Sequence, residues 1–406
     1  MTNVASVVAA NFGASGLRLT KMVAGENGIF TPDKESKKVV VSAAQIESEG
    51  AVEVFKQNVP KFNADGLCIG IAAPVLNGVG NMTWLNAEIN QAQLTEATGV
   101  NSLLYNDMDP IFAALRQLNA LSQIDYFTGY ENHSPFFTIR DGKEFSSEKG
   151  FMVAVAPGSG TGEVSGSISD NGKRLHIYSS EESHVPMGIA SNKLDELFFQ
   201  YLRDEYGYPT EETATRNSCV MDAFNFWRKV GKGEIQLPEG YDKVPIICEI
   251  LKQKEPKSSV LSELREGRTN HNKFITDVAL RKYQSGQERD VFCEIAQAHV
   301  VRNIGLTFGS HALKKPSSGL WLCGAIVNKV KPMLLDSSEF LGDLTFNGGY
   351  SDRESIKFNS LVSNYRVQGI LPELAFELGL AELYTSQNPE FARKVNYPED
   401  LKIEIF

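Results

Sequence analysis

No stretch of this 406-residue chain is apolar for long enough to cross a bilayer as a helix. The longest run, 67–75, is far short of about 20 residues and is broken by Gly70 and Pro74. A basic patch is missing as well: Lys and Arg are scattered through a chain of formal charge −10. A nucleic-acid partner, which needs clustered cations to displace counterions from phosphates, is therefore not expected. Cysteines are few, five in all, and none stand in CxxC spacing, which argues against a disulfide framework and for free thiols in a reducing compartment, the cytosol. The six histidines form no HxxxH or HExxH pattern, so no metal site built by the protein alone is expected. The first residues show no basic segment followed by an apolar one, and the last three match no retention or peroxisomal signal; a secretory or organellar address is not expected.

What is present is an ordinary globular composition, 42% apolar and 22% charged. At about 150 residues per domain the length suggests two or three domains with a cleft between them. The first forty residues read as a strand, a small-residue turn at Gly13-Ala14-Ser15-Gly16, and a second strand. Residues 67–73 form a continuous apolar run ended by Pro74, the pattern of a parallel strand covered on both faces. A helix over 87–97, a strand over 102–105 and a helix over 110–118 continue an α/β alternation. Residues 130–149 are polar and read as an excursion. A second strand-turn-strand follows at 151–168, its turn being Pro157-Gly158-Ser159-Gly160-Thr161-Gly162. From 192 onward apolar stripes at helical spacing dominate, with a strand at 319–323 and a helical segment from 328. The two hairpins are the nearest thing to an internal repeat.

Chemistry concentrates at Asn106-Asp107, which closes the 102–105 strand. A carboxylate on a strand-to-helix turn is held rigidly toward a cleft and is placed to act as a general base; the same pair is also the ordinary composition of a turn and helix cap. Glycines at 158, 160 and 162 allow backbone N–H groups to approach phosphate oxygens, or simply make a mobile hairpin. His184 and the Glu181-Glu182 pair are, alone, as compatible with a structural histidine and a solvated surface as with ligands.

The order of these features resembles the sugar kinases of the actin-like ATPase superfamily, and within it the bacterial-type glucokinase family. The likeness spans roughly 4–383 and is strongest over 66–115, where a GIAAP segment, Asn81, Thr83-Trp84 and Asn106-Asp107-Met108 follow one another, and over 154–162. It implies a two-lobed α/β, ribonuclease H-like fold with a central cleft. The small lobe would be 1–108, rejoined by a helix near 372–385; the large lobe would be 109–371, and 386–406 an extension of unknown role. The implied activity is phosphorylation of glucose at its 6-hydroxyl by ATP, feeding glycolysis, in a homodimer whose partners are a hexose and a nucleotide. Asp107 takes the role of base. Asn81, Asn106, Asp107, Glu181, His184 and Glu212 take those of sugar ligands. Asn11, Gly13, Ser15, Gly158, Gly160, Thr161 and Gly162 would surround the phosphates, Thr161 and Ser15 offering hydroxyl donors. Gly324-Ala325 would shape the adenosine site, and Mg²⁺ would be held mainly through phosphates and water.

Several positions depart from the family. Asn11-Phe12-Gly13-Ala14-Ser15 stands where an Asp-x-Gly-Gly-Thr is common, so the anion that would help hold Mg²⁺ is gone. Glu163-Val164 replaces Leu-Gly and sets a carboxylate beside the phosphate loop. Glu182-Ser183 replaces two glycines before His184, and the Leu-Ser-Gly that follows Glu212 in the family is absent. These changes leave open a relative that binds sugar or nucleotide without efficient transfer, and the bare α/β pattern also admits an unrelated enzyme.

Overall fold

The computed structural model describes residues 4–25, 28–82, 85, 87–124, 126–128, 134–142, 149–180, 182–184, 192–267, 270–314, 319–352 and 365–406. Its frame is two large sheets. The first carries β1 (Ser6–Gly13), β2 (Gly16–Ala24), β3 (Phe30–Pro32), β4 (Val39–Ser42), β5 (Gly66–Ile71) and β9 (Asn101–Asn106) in the order β3-β2-β1-β5-β9, with β4 on the other half of β2. A small antiparallel sheet of β6 (Val75–Leu76), β7 (Val79–Met82) and β8 (Ala87–Asn90) lies between β5 and β9 in sequence. The second large sheet holds β10 (Phe136–Arg140), β11 (Gly150–Pro157), β12 (Thr161–Ser169), β13 (Arg174–Ser180), β14 (Gly319–Leu322), β15 (Val367–Ile370) and β16 (Lys402–Ile405), ordered β10-β15-β14-β11-β12-β13-β16.

The hairpins noted in the sequence belong to a larger repeat. In the first sheet an antiparallel meander, β1-β2-β3, is extended on the β1 side by β5 and β9, both parallel to β1. In the second, the meander β11-β12-β13 is extended on the β11 side by β14 and β15 in the same sense. Both sheets therefore point the carboxyl ends of three parallel strands, and one hairpin turn, the same way. In open α/β sheets that edge is where ligands bind. The apolar run of β5 is buried at all six positions, as its lack of alternation requires.

Two helices join the sheets. Asp109–Gln123 opens with Pro110 in its first turn, where a missing N–H costs nothing, and packs along Ala375–Gln387. Around them one apolar cluster takes in Val7, Ala9 and Cys68 from the first sheet and Met152, Ala154 and Val164 from the second. The buried carboxylate of Glu382 accepts hydrogen bonds from Arg116, Gln117 and the Tyr397 hydroxyl, tying both helices to the C-terminal segment. Among the described residues, no helix is long and apolar enough to cross a membrane.

Some elements differ from the sequence reading. The segment read as one helix over 87–97 is strand β8 followed by the helix Gln91–Thr98, because Asn90 caps the helix by accepting from the N–H groups of Ala92 and Gln93. The polar excursion contains β10, paired to β15. The helix read from 328 begins at Ala325. The tail beyond 385, for which the sequence suggests no role, forms the helix Pro389–Lys394 and strand β16, which adds to β13 in parallel.

Candidate functional site

The carboxyl ends of β1, β5 and β9 align because β5 pairs with both others, Phe12 opposite Ile71 and Ile71 opposite Asn106. That register brings Gly13, the Ala72-Ala73-Pro74 segment and Asp107 to one edge. Asn106 builds the turn: its Nδ2 donates to the Ala73 carbonyl at 3.2 Å, and its Oδ1 accepts from the Met108 N–H at 2.9 Å. The Asp107 N–H donates to the Ile71 carbonyl at 2.8 Å, which fixes the backbone that carries the carboxylate. Asn106, expected as a sugar ligand, has both ends of its amide engaged in this scaffold.

Across from it, the β11-β12 hairpin turns through Gly158-Ser159-Gly160, with the Gly158 N–H bonded to the Gly160 carbonyl at 2.6 Å and the Asn217 N–H bonded to the Gly158 carbonyl at 2.8 Å. A Cβ on Gly160 would overlap the Glu212 carboxylate, and one on Gly162 would overlap the Met108 thioether. The loop is thus small because the opposing side chains already occupy the space. Thr161 is buried, and its hydroxyl lies 2.8 Å from that of Thr215, which donates onward to the Glu211 carbonyl. Thr161 must then donate to Thr215, so the hydroxyl expected to face a phosphate is turned into the protein. Glu163, expected to bring charge against the loop, is also buried, with its carboxylate toward His311. It shares the Thr161 face of β12, while Gly162 between them faces Met108.

One cavity of about 540 Å³ unites these groups. The first hairpin contributes Gly13 and Ala14, and the second contributes Gly158 through Gly162. Asn81, Asn106, Asp107, His184 and Glu212 complete its polar lining. The volume is in the range of small-molecule sites. His184 Nδ1 and Glu212 Oε2 lie 3.1 Å apart, so these two residues, nearly thirty apart in sequence, act as one polar unit. Asn11 and Ser15 lie on the first hairpin without lining this cavity; Ser15 is exposed, and the Asn11 Oδ1 is 3.9 Å from the point a Gly13 Cβ would occupy. Gly324 (φ +105°) precedes the helix Ala325–Leu334, a Cβ on it would stand 3.4 Å from the Pro157 carbonyl oxygen, and it is not among the described residues that line the cavity. Glu181, Thr83 and Trp84 fall outside the described residues.

Asp109 is a residue the sequence reading passed over. It is buried, accepting from the Asn106 N–H at 3.2 Å and from the Ser179 hydroxyl at 2.6 Å, and so bridges the Asn106-Asp107 turn to β13 of the other sheet. Burial pushes its carboxyl up to about 6, against the opposing pull of those two hydrogen bonds. Because the folded value lies above the usual carboxylate value, the folded state holds the extra proton, and stability falls as pH rises from about 4 to about 6. Above that window the ionised group costs about 3 kcal/mol. Asp109→Asn is expected to flatten this slope, so that the urea midpoint of the variant gains on the wild type between pH 4 and 6; parallel pH profiles would contradict it. The Asp107 charge also reaches the second sheet: the buried Cys323 thiol, just past β14, is pushed up to about 12 by burial first and by that charge second.

Two sheets of one strand order, each offering a small-residue hairpin to a shared cavity with Asn-Asp at a strand end between them, fit the sugar-kinase architecture that the sequence resemblance implies. The chain belongs to the glucokinase family, whose family model matches residues 8–355. Among solved structures, glucokinase from Balamuthia mandrillaris in complex with glucose is similar at TM-score 0.64 and 12% identity, covering 94% of this chain and 93% of its own. Leishmania braziliensis glucokinase gives 0.62 at 13% identity, covering 93% and 92%. Glucokinase from an Antarctic psychrotroph gives 0.61 at 15% identity, covering 93% and 98%. No curated protein matches the chain by sequence.

Proposed function

We propose that this protein phosphorylates glucose, ATP being the donor and the 6-hydroxyl the acceptor. The observation that carries the reading is the single cavity in which both glycine hairpins and Asp107 meet. The sugar oxygen forms a bond to the γ-phosphorus, the bond to the β,γ-bridging oxygen breaks to leave ADP, and the hydroxyl proton passes to Asp107. Such a transfer proceeds through a loose transition state in which positioning and electrostatics do most of the catalysis. The backbone N–H groups of both hairpins would hold the phosphates. Sugar hydroxyls would find partners in Asn81 and in the His184–Glu212 pair, groups that an analogue lacking a hydroxyl would leave with unmet hydrogen bonds. The lining fits a nucleotide whose Mg²⁺ is carried by phosphate oxygens and water, since Asp107 and Glu212 are its only carboxylates among the described residues.

In this reading the sheets are the cores of two lobes, 1–108 with the returning C-terminal helix and 109–371, which close on substrate to exclude water as a competing acceptor. A cytoplasmic homodimer supplying glycolysis is part of the same proposal. A coupled assay with glucose and Mg·ATP tests it, with Asp107→Ala as the control. Turnover well above that control is the expected result, and equal rates in the two proteins would overturn it.

A second reading, a sugar- or nucleotide-binding protein that transfers phosphate poorly, is favoured by Asn11, which puts a neutral amide where the family has a carboxylate. Calorimetry with glucose separates the two. Binding without turnover, unchanged in Asn11→Asp, would select the second reading.

The closeness of Gly160 to Glu212 yields a further prediction. Gly160 is not in a positive-φ conformation, and the atom in the way is the end of a flexible side chain. Gly160→Ala should therefore leave thermal stability within about 1 kcal/mol of wild type but swing Glu212 off His184, lowering kcat/KM for the hexose by about 10²-fold. Unchanged kinetics would show that Glu212 does not touch the sugar.

A further inference from the structure

Glu163, Glu211 and His311, none of which lines the cavity, come together from three elements around the second hairpin. Glu163 lies in β12, Glu211 opens the helix Glu211–Thr215, and His311 lies near the end of the helix Val291–Lys314. Their ligating atoms are all within 4.8 Å of one another. All three side chains are buried, at 2%, 5% and 1% exposure. Glu163 and His311 bring a carboxylate and an imidazole into an interior where polar groups without partners are costly. Among the described residues, no hydrogen bond reaches either oxygen of Glu163 or either ring nitrogen of His311. His311 Nε2 and Glu163 Oε2 approach to 3.3 Å without hydrogen-bond geometry. A buried polar group left in this way is destabilising unless something else satisfies it.

We infer that Glu163, Glu211 and His311 bind a divalent first-row transition metal ion, with Zn²⁺ the ion their chemistry suits best. One imidazole nitrogen with two carboxylate oxygens is a mixed donor set of the kind Zn²⁺ accepts, whereas Mg²⁺ prefers oxygen and water alone. Zn–N and Zn–O distances of about 2.1 Å set tetrahedral ligand atoms about 3.4 Å apart; Glu163 and His311 already stand 3.3 Å apart, and no pair need close by more than about 1.4 Å, within reach of a glutamate side chain. A water or the second oxygen of a carboxylate takes the fourth position. The ion neutralises the charge that Glu163 brings beside the phosphate hairpin. It also pins that hairpin, one residue past Gly162, to the helix whose next residue is Glu212. The site is distinct from the cavity and from any ion carried by a nucleotide, and it stands whether or not the kinase reading does.

The test uses the full chain. After dialysis against a chelator and reloading with Zn²⁺, metal analysis should find about one ion per chain, and the melting temperature should rise with Zn²⁺ and fall with chelator. Glu163→Gln and His311→Asn should each weaken Zn²⁺ binding at least about 10²-fold and abolish the shift. Co²⁺ bound to the wild-type chain should give visible bands of low-coordinate nitrogen and oxygen ligation with no thiolate charge-transfer band, a readout that needs no variant. The inference is overturned if the wild-type chain takes up no Zn²⁺ and melts identically with and without it, which would mean an ion pair only. It is equally overturned if both folded variants keep the wild-type affinity, or if a thiolate band appears, either of which places the ion elsewhere.

Discussion

Replacing Asp107 by Asn is expected to lower kcat by about 10²–10⁴-fold while changing KM for the hexose by less than about 10-fold. The substitution keeps the size of the side chain and one oxygen able to orient a hydroxyl, but removes the group that accepts its proton. Since the backbone of position 107 is set by the bond from its N–H to the Ile71 carbonyl and by the Asn106 scaffold, the amide should sit where the carboxylate sat. The loss would then be read in the chemical step rather than in binding. Asp107→Ala, which also gives up orientation, should be slower still. A kcat for the Asn variant within about 3-fold of wild type would remove Asp107 from the role of base.

Gly379→Ala is expected to destabilise the protein by about 3 kcal/mol or more, against the sign that helix propensity alone would give. In an exposed helix the change would stabilise by about 1 kcal/mol. Here a Cβ on Gly379 would overlap the Pro110 carbonyl, because the helices Ala375–Gln387 and Asp109–Gln123 cross backbone to backbone at that point. Unlike the glutamate facing Gly160, a carbonyl inside a first helical turn cannot swing aside, so the helices must separate. Pro110 lies three residues beyond Asp107, and the same separation should disturb the Asn106-Asp107 turn. Urea unfolding decides the sign; a variant as stable as wild type or more so would mean that the crossing has room to spare.

The features legible in the sequence are those whose signal is local. The unbroken apolar run of β5 reads as a covered parallel strand because both its faces are covered. The two small-residue turns read as hairpins, and the Asn-Asp pair falls at a strand end as its turn chemistry demands. The rest depended on distance in space. Strand β8 is only four residues long and runs straight into a helix, so periodicity over a longer window hides it. Strands β10 and β16 are edge elements whose partners lie far off in sequence, at β15 and β13.

At the site, the cavity gathers Asp107, His184 and Glu212, while the directions of their neighbours were beyond the sequence. That Thr161 bonds Thr215, and that Glu163 turns to His311, follows from which face of β12 is inside, a matter of register. Asp109 had one signal, an acid in the first turn beside Pro110, but its role comes from Ser179 seventy residues away.

The most direct check is a crystal structure of the complex with glucose and a nonhydrolysable ATP analogue. The glucose 6-hydroxyl should lie about 2.6–3.2 Å from an Asp107 oxygen, with the triphosphate between Gly13-Ala14 and Gly158–Gly162. A sugar whose 6-hydroxyl faces away from Asp107, or a nucleotide bound outside the space between the two hairpins, would contradict it.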